Sequence, residues 1–218
     1  MTEQNYSSMR AAMVESQLRT SDVDDQRVIA AMARVPREAF LPADRRAMAY
    51  VDRPVPLDGG RALNPPLATG RLLNEARVAP GDRVLLIGGA TGYSAALLAA
   101  LGARIVLVEE EGGPDSPSDG AMPGVTPGVT VVRGPLNAGA PDAAPYDLLF
   151  VDGAVEEVPP ALVRQLVDGG RVVTGVVERG VTRLCSGRAV GGVLGLTSLA
   201  DMEMVVLPGF AAPERFVF

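Results

Sequence analysis

Histidine is missing from all 218 residues, and cysteine occurs once. Without imidazole there is no Ser-His-Asp relay and no ordinary zinc site, so no metal is expected. A general base working near neutral pH would have to be a retuned carboxylate or a lysine, which favours chemistry that depends on positioning. The lone Cys185 excludes an internal disulfide, and its apolar surroundings point to a buried filler rather than a reactive thiol. No run reaches the roughly 18 apolar residues of a membrane helix. The opening MTEQNYSSMRAAMVESQL lacks the basic start and apolar stretch of a signal peptide, so a cytoplasmic protein is expected. Positive charge is short too: the net charge is -6 and the isoelectric point about 4.8, which argues against nucleic acid or anionic lipid as partners.

What is present suits a globular chain. Hydrophobic residues make up 47% and charged residues 21%, enough to bury a core. Met9, Met13, Val14 and Leu18 fall near helical spacing, predicting a helix over 8–20. Val28, Ile29, Met32 and Val35 line the face of a second helix, capped by Asp24 or Asp25 and stopped by Pro36. A short helix is expected near Asp44 to Ala49, then an ordered loop through VDRPVPLDGGRALNPP, then a helix over 67–78. From Gly81 the pattern becomes strand, glycine turn, helix, strand: VLLI (84–87), GGATG, YSAALLAALG and RIVLV (104–108). All-apolar strands of this kind belong in a sheet covered on both faces, and the order implies a right-handed βαβ crossover. Residues 111–128, dense in Gly, Pro and Ser, read as a long loop where a doubly wound fold normally places a helix. Strands follow at VTVV (129–132) and DLLFV (147–151), then a helix at 158–167 stopped by Gly169 and Gly170. A hairpin turns around Glu178, Arg179 and Gly180, and strand and loop continue to Phe218.

The turn holds Gly88, Gly89 and Gly92, with Tyr93 opening the next helix. Glycine there permits unusual dihedrals and lets a ligand approach the backbone, while the helix start attracts an anionic group. A dinucleotide fingerprint would need glycine where Ala90 and Tyr93 stand, so a nicotinamide-dependent reductase fits poorly. Glu109 closes the second strand, where a carboxylate can accept hydrogen bonds from a ribose diol. The plainer alternative is that Glu109 to Glu111 form a solvated loop.

Taken in order, these blocks resemble the protein-L-isoaspartate (D-aspartate) O-methyltransferase family. MVESQLRTSDVDDQRVIAAMARVPREAF is similar to its N-terminal helices, AYVD with PVPLDGGRALNPP to its substrate loop, and VLLIGGATGY to its cofactor turn. APYDLLFVDGAVEEVPPALVRQLVDGGRVV is similar to its second half. The resemblance implies an α/β fold with a Rossmann-like, doubly wound, mostly parallel sheet of the class I methyltransferase type and an N-terminal helical extension. It divides 1–218, taken as one unit, into helices and substrate loop (1–79) and core (80–218). It also implies a cytoplasmic repair enzyme that methylates isoaspartyl carboxylates in damaged proteins or peptides from S-adenosyl-L-methionine. Gly88, Gly89, Gly92 and Tyr93 would line the methionine end of the cofactor, and Glu109 would take the ribose. A carboxylate is already nucleophilic at neutral pH, which agrees with the missing histidines.

The family pattern is broken at four places. Asn64 stands where the substrate loop usually presents a serine; it either acts on the substrate carboxylate or caps a turn before two prolines. Leu86 replaces an acid two positions before the first glycine, Ala90 replaces the middle glycine, and Pro135 replaces an acid near the adenine. These departures leave a second reading, a non-catalytic member acting as a binding or scaffold protein. Asp152, at a strand end, either borders the site or is simply solvated.

Overall fold

The computed structural model describes residues 5–111 and 128–212. Most of the glycine- and proline-rich segment read as a loop, 112–127, and the last residues of the strand and loop expected to continue to Phe218, 213–218, lie outside them.

Helix α1 (Tyr6–Met13) passes directly into a π-helical turn, Val14–Leu18, so the expected first helix is present with a wider last stretch. Met13, Val14 and Leu18 are buried, as their spacing requires. Helix α2 (Gln26–Arg34) is capped by Asp25, whose carboxylate accepts the Arg27 N–H at 2.8 Å. It buries Val28, Ile29 and Met32, and Pro36 follows its end. The segment near Asp44 winds only as a 3-10 turn, Arg46–Met48. The loop read as irregular contains a two-residue hairpin, β1 (Val55–Pro56) against β2 (Ala62–Leu63), which period-based reading cannot register at that length. Helix α3 (Pro66–Ala76) starts with proline at its first position, where a missing N–H is harmless. Asp52 of the preceding loop accepts the Leu67 N–H at 3.1 Å and ties loop to helix.

The core is a seven-stranded sheet. Strands β3 (Arg83–Ile87), β4 (Arg104–Glu109), β5 (Val129–Arg133), β6 (Tyr146–Val155) and β7 (Leu166–Glu178) pair in parallel. Strands β8 (Val181–Val190) and β9 (Val193–Asp201) add antiparallel at one edge, giving the order β5-β4-β3-β6-β7-β8-β9. Helix α4 (Tyr93–Ala100) joins β3 to β4. Alternate residues of β3 serve opposite faces: Val84 and Leu86 pack with the N-terminal helices, Leu85 and Ile87 with Leu136, Leu162, Leu207 and Phe210. The all-apolar strands therefore follow from a sheet buried on both sides.

One expectation fails. The helix at 158–167 is a single turn, α5 (Pro160–Val163), and Gly169 and Gly170 lie inside β7 rather than stopping a helix. They sit where the β6–β7 register shifts between Tyr146 and Leu148, with Gly169 at φ +78°. A Cβ on Gly170 would meet the Val167 carbonyl at 2.9 Å, so the pair forms a bulge that side chains would obstruct. The hairpin is as expected: Arg179 (φ 53°) and Gly180 (φ 79°) form the two-residue turn joining β7 and β8.

Candidate active site

Strand order reverses between β3 and β6: the chain moves outward through β4 and β5, then returns to the other side of β3. Ligands of open α/β sheets bind in the crevice at the carboxyl ends of strands at such a point. Here the crevice gathers the glycine turn after β3, Glu109 at the end of β4 and Asp152 on β6.

The turn takes its shape from positive φ values at Gly88 (75°), Ala90 (48°) and Gly92 (92°). Ala90 thus keeps the left-handed conformation in spite of its Cβ, at roughly 1–2 kcal/mol of strain. Leu86 is fully buried beneath the turn, and a Cβ on Gly89 would meet its Cδ2 at 3.1 Å. A Cβ on Gly88 would lie 2.7 Å from Leu207 Cδ1, so the segment after β9 closes over this glycine. Pro135 opens a 3-10 turn, Leu136–Ala138, whose Leu136 is buried in the core.

Glu109 is 2% exposed, which removes the solvated-loop alternative for this residue. Its Oε1 accepts the Ala90 N–H at 2.5 Å, and its Oε2 lies 3.3 Å from Arg61 Nη1. Burial pushes its pKa up to about 7, against the opposing pull of Arg61 and the Ala90 N–H. Arg61 also donates to the Gly88 carbonyl at 3.3 Å and lies 3.6 Å from Glu110. Its Nε is buried without a partner, as is the Thr91 hydroxyl in the turn.

Asp152 is buried rather than solvated, at 4% exposure. The Ser94 hydroxyl donates to its carboxylate at 2.6 Å. Asn64 Nδ2 donates to both its carboxylate and its main-chain carbonyl at 2.9 Å. Burial raises the Asp152 pKa, opposed first by these hydrogen bonds. Asn64 Oδ1 accepts the Val205 N–H at 2.8 Å. Asn64 therefore bridges three segments of chain instead of capping the turn before Pro65.

Tyr93 is fully buried, its ring 5.5 Å from that of Phe40 and 5.0 Å from the Arg37 guanidinium. Burial pushes its pKa up to about 12. Arg37, itself fully buried, donates to the Ala49 carbonyl at 2.7 Å and to the Asn64 carbonyl. The VPREAF block thus holds the loop on which Asn64 sits. Sequence reasoning missed Arg37, Arg61 and Ser94 as site residues. Arg61 pairs with a residue 48 positions away, which no local pattern reveals. All 20 basic residues are arginine, so a lysine base is unavailable and carboxylates are the remaining candidates. Cys185 is buried and its thiol pKa raised by burial, as expected of a filler.

Comparison with known proteins agrees with this architecture. Residues 8–186 match the family model described as Protein-L-isoaspartate(D-aspartate) O-methyltransferase. A protein-L-isoaspartate O-methyltransferase of Koribacter versatilis is 38% identical over 202 residues, covering 92% of this chain and 90% of that one. A solved protein-L-isoaspartate O-methyltransferase superposes with a TM-score of 0.77 at 25% identity, over 92% of this chain and 66% of the solved one. A Plasmodium falciparum beta-aspartate methyltransferase structure, in complex with S-adenosyl-L-homocysteine, has a TM-score of 0.73 at 19% identity. It covers 94% of this chain and 99% of that one, and shows a shared fold.

Proposed function

This chain belongs to the protein-L-isoaspartate(D-aspartate) O-methyltransferase family, and from that premise we propose that it methylates isoaspartyl carboxylates of damaged proteins with S-adenosyl-L-methionine. The observation that carries the reading is Glu109, a buried acid at the end of β4 joined to the backbone of the glycine turn at the switch point. The cofactor supplies a methyl group on a positively charged sulfur, which a carboxylate oxygen displaces to leave a neutral ester and a neutral thioether.

The residues present fit that group. Glu109 can accept from a ribose diol, and the orphaned Thr91 hydroxyl is a buried polar atom without a partner in the turn. Gly88, Gly89 and Gly92 would border the methionine end. Tyr93 would act from behind, fixing the start of α4 through its packing on Phe40 and Arg37. Asn64 would act by fixing Asp152 and the Val205 backbone around the acceptor. No proton has to be removed from an ionised acceptor, so the chain's task is alignment and exclusion of water.

On this reading the enzyme acts in the cytoplasm on peptide segments carrying the isoaspartyl link, and its net charge of -6 argues against nucleic-acid substrates. No described helix is long and apolar enough to cross a membrane. A second reading, a binding protein without transferase activity, is favoured by one observation: Leu207 packs tightly against Gly88, 2.7 Å from where a Cβ would sit, and crowds one side of the glycine turn. Calorimetry with S-adenosyl-L-methionine and S-adenosyl-L-homocysteine separates the two. Micromolar binding supports the enzyme, and no binding at millimolar cofactor leaves the second reading.

A further inference from the structure

Resting on the methyltransferase reading, we propose that Arg61 receives the carboxylate of the methyl acceptor, moving from Glu109 to the isoaspartyl group once the cofactor ribose engages Glu109. The acceptor is an anion entering a crevice that already holds two buried carboxylates, Glu109 and Asp152. Like charges so placed oppose its entry unless a cation with unused hydrogen-bonding capacity faces it. Two guanidiniums lie close by. Arg37 also has one unpartnered nitrogen, Nη1, but it is fully buried, stacked on Tyr93 and held by the Ala49 and Asn64 carbonyls through Nε and Nη2. Arg61 is buried too, at 6% exposure, but reaches toward solvent, its Nη1 3.6 Å from Glu110, whose side chain is 39% exposed.

The capacity of Arg61 is partly unused. Nη1 meets Glu109 and Nη2 meets the Gly88 carbonyl, both at 3.3 Å, while Nε is buried with no partner. The adjacent Nε–Nη2 edge is the geometry that grips a carboxylate with two parallel hydrogen bonds. Asn64, three residues along the same loop, has no comparable freedom. Its Nδ2 donates to the main-chain carbonyl and the Oδ1 of Asp152, and its Oδ1 accepts the Val205 N–H, so it has no donor left for a carboxylate. Glu109 therefore acts as a resting partner for Arg61: it keeps a buried cation paired while the site is empty. A ribose that hydrogen-bonds Glu109 would free the guanidinium for substrate, which makes cofactor binding precede acceptor binding. Methylation removes the acceptor's charge, so Arg61 has reason to return to Glu109 and release the ester.

The test compares wild type with Arg61→Gln, Arg61→Lys, Glu109→Gln and the double variant Arg61→Gln/Glu109→Gln. Calorimetry measures S-adenosyl-L-homocysteine affinity. Fluorescence anisotropy, with that ligand saturating, measures a labelled isoaspartyl peptide and its counterpart whose free carboxylate is an amide. Wild type should prefer the carboxylate peptide by about tenfold or more, and Arg61→Gln should lose that preference while keeping homocysteine-ligand affinity within about threefold. KM for the peptide should rise with the anisotropy constant while kcat changes far less, and Arg61→Lys should recover part of the preference. Glu109→Gln should keep the preference, and the double variant, which leaves no lone buried charge, should lack it even if Arg61→Gln folds poorly. An undiminished preference in Arg61→Gln or in the double variant overturns the proposal. So does a loss of S-adenosyl-L-homocysteine affinity with peptide discrimination intact, which would assign Arg61 to the cofactor's own carboxylate. Failure of wild type to bind S-adenosyl-L-homocysteine would instead overturn the methyltransferase reading beneath it.

Discussion

Ala90 and Glu109 meet at one hydrogen bond, and each is held away from its ordinary state. Ala90 occupies φ +48°, a region that disfavours any Cβ. Ala90→Gly should relieve that strain, less the entropy the unfolded chain gains, and stabilise the protein by about 0.5–1 kcal/mol in urea denaturation. Glu109 is shifted the other way, its pKa raised to about 7 by burial. Ribose hydroxyls donate to the ionised form, so S-adenosyl-L-homocysteine affinity should increase as pH rises from 6 to 8 and level off above the pKa. Glu109→Gln should weaken binding by about one to two orders of magnitude and flatten that pH dependence, both read by calorimetry. Neither residue's state was visible in sequence. The acid at the strand end was legible from position, but its partner Arg61 and its burial depend on a loop folded back across the crevice.

At the scale of elements, what could be read was whatever repeats with a period. Helices α2 and α3 follow their apolar spacing, α4 and strands β3 to β6 follow the order of apolar runs around the glycine turn, and the Arg179-Gly180 hairpin follows its turn chemistry. The misreading at Gly169 and Gly170 has a physical source: glycine pairs end helices and also form bulges, and only the β6 neighbour decides which. Glycine also marks close packing where no turn exists. Gly175 in β7 has no room for a side chain, since a Cβ would meet Met204 Sδ at 2.6 Å and Ala154 Cα at 2.9 Å. Gly175→Ala should destabilise the protein by about 1–3 kcal/mol. Met204 precedes the Val205 N–H that Asn64 holds, so the variant should also lower kcat/KM for an isoaspartyl peptide.

Across the whole molecule, the N-terminal helices and the sheet share one core. Met13, Leu18 and Met32 pack in the same cluster as Val84, Leu86 and Phe150. We therefore expect the helical portion (1–79) and the sheet portion (80–218) to unfold together, giving one calorimetric transition; two separable transitions would contradict this. The buried acids set its pH dependence. Glu109 holds its proton more tightly when folded, with a pKa near 7 against an ordinary 4.5, and Asp152 is shifted in the same direction. Their contribution to stability is complete below their unfolded pKa values and is lost as pH rises through the folded ones, near 7 for Glu109. Stability should decline between pH 5 and 8, and Glu109→Gln should remove up to about one proton from that slope.

The most direct test of the central claim is methyl transfer from labelled S-adenosyl-L-methionine to an isoaspartyl peptide, with the aspartyl peptide of the same sequence as control. One base-labile methyl ester is expected on the isoaspartyl peptide and none on the control. Transfer to neither peptide at millimolar cofactor, or equal transfer to both, would contradict it.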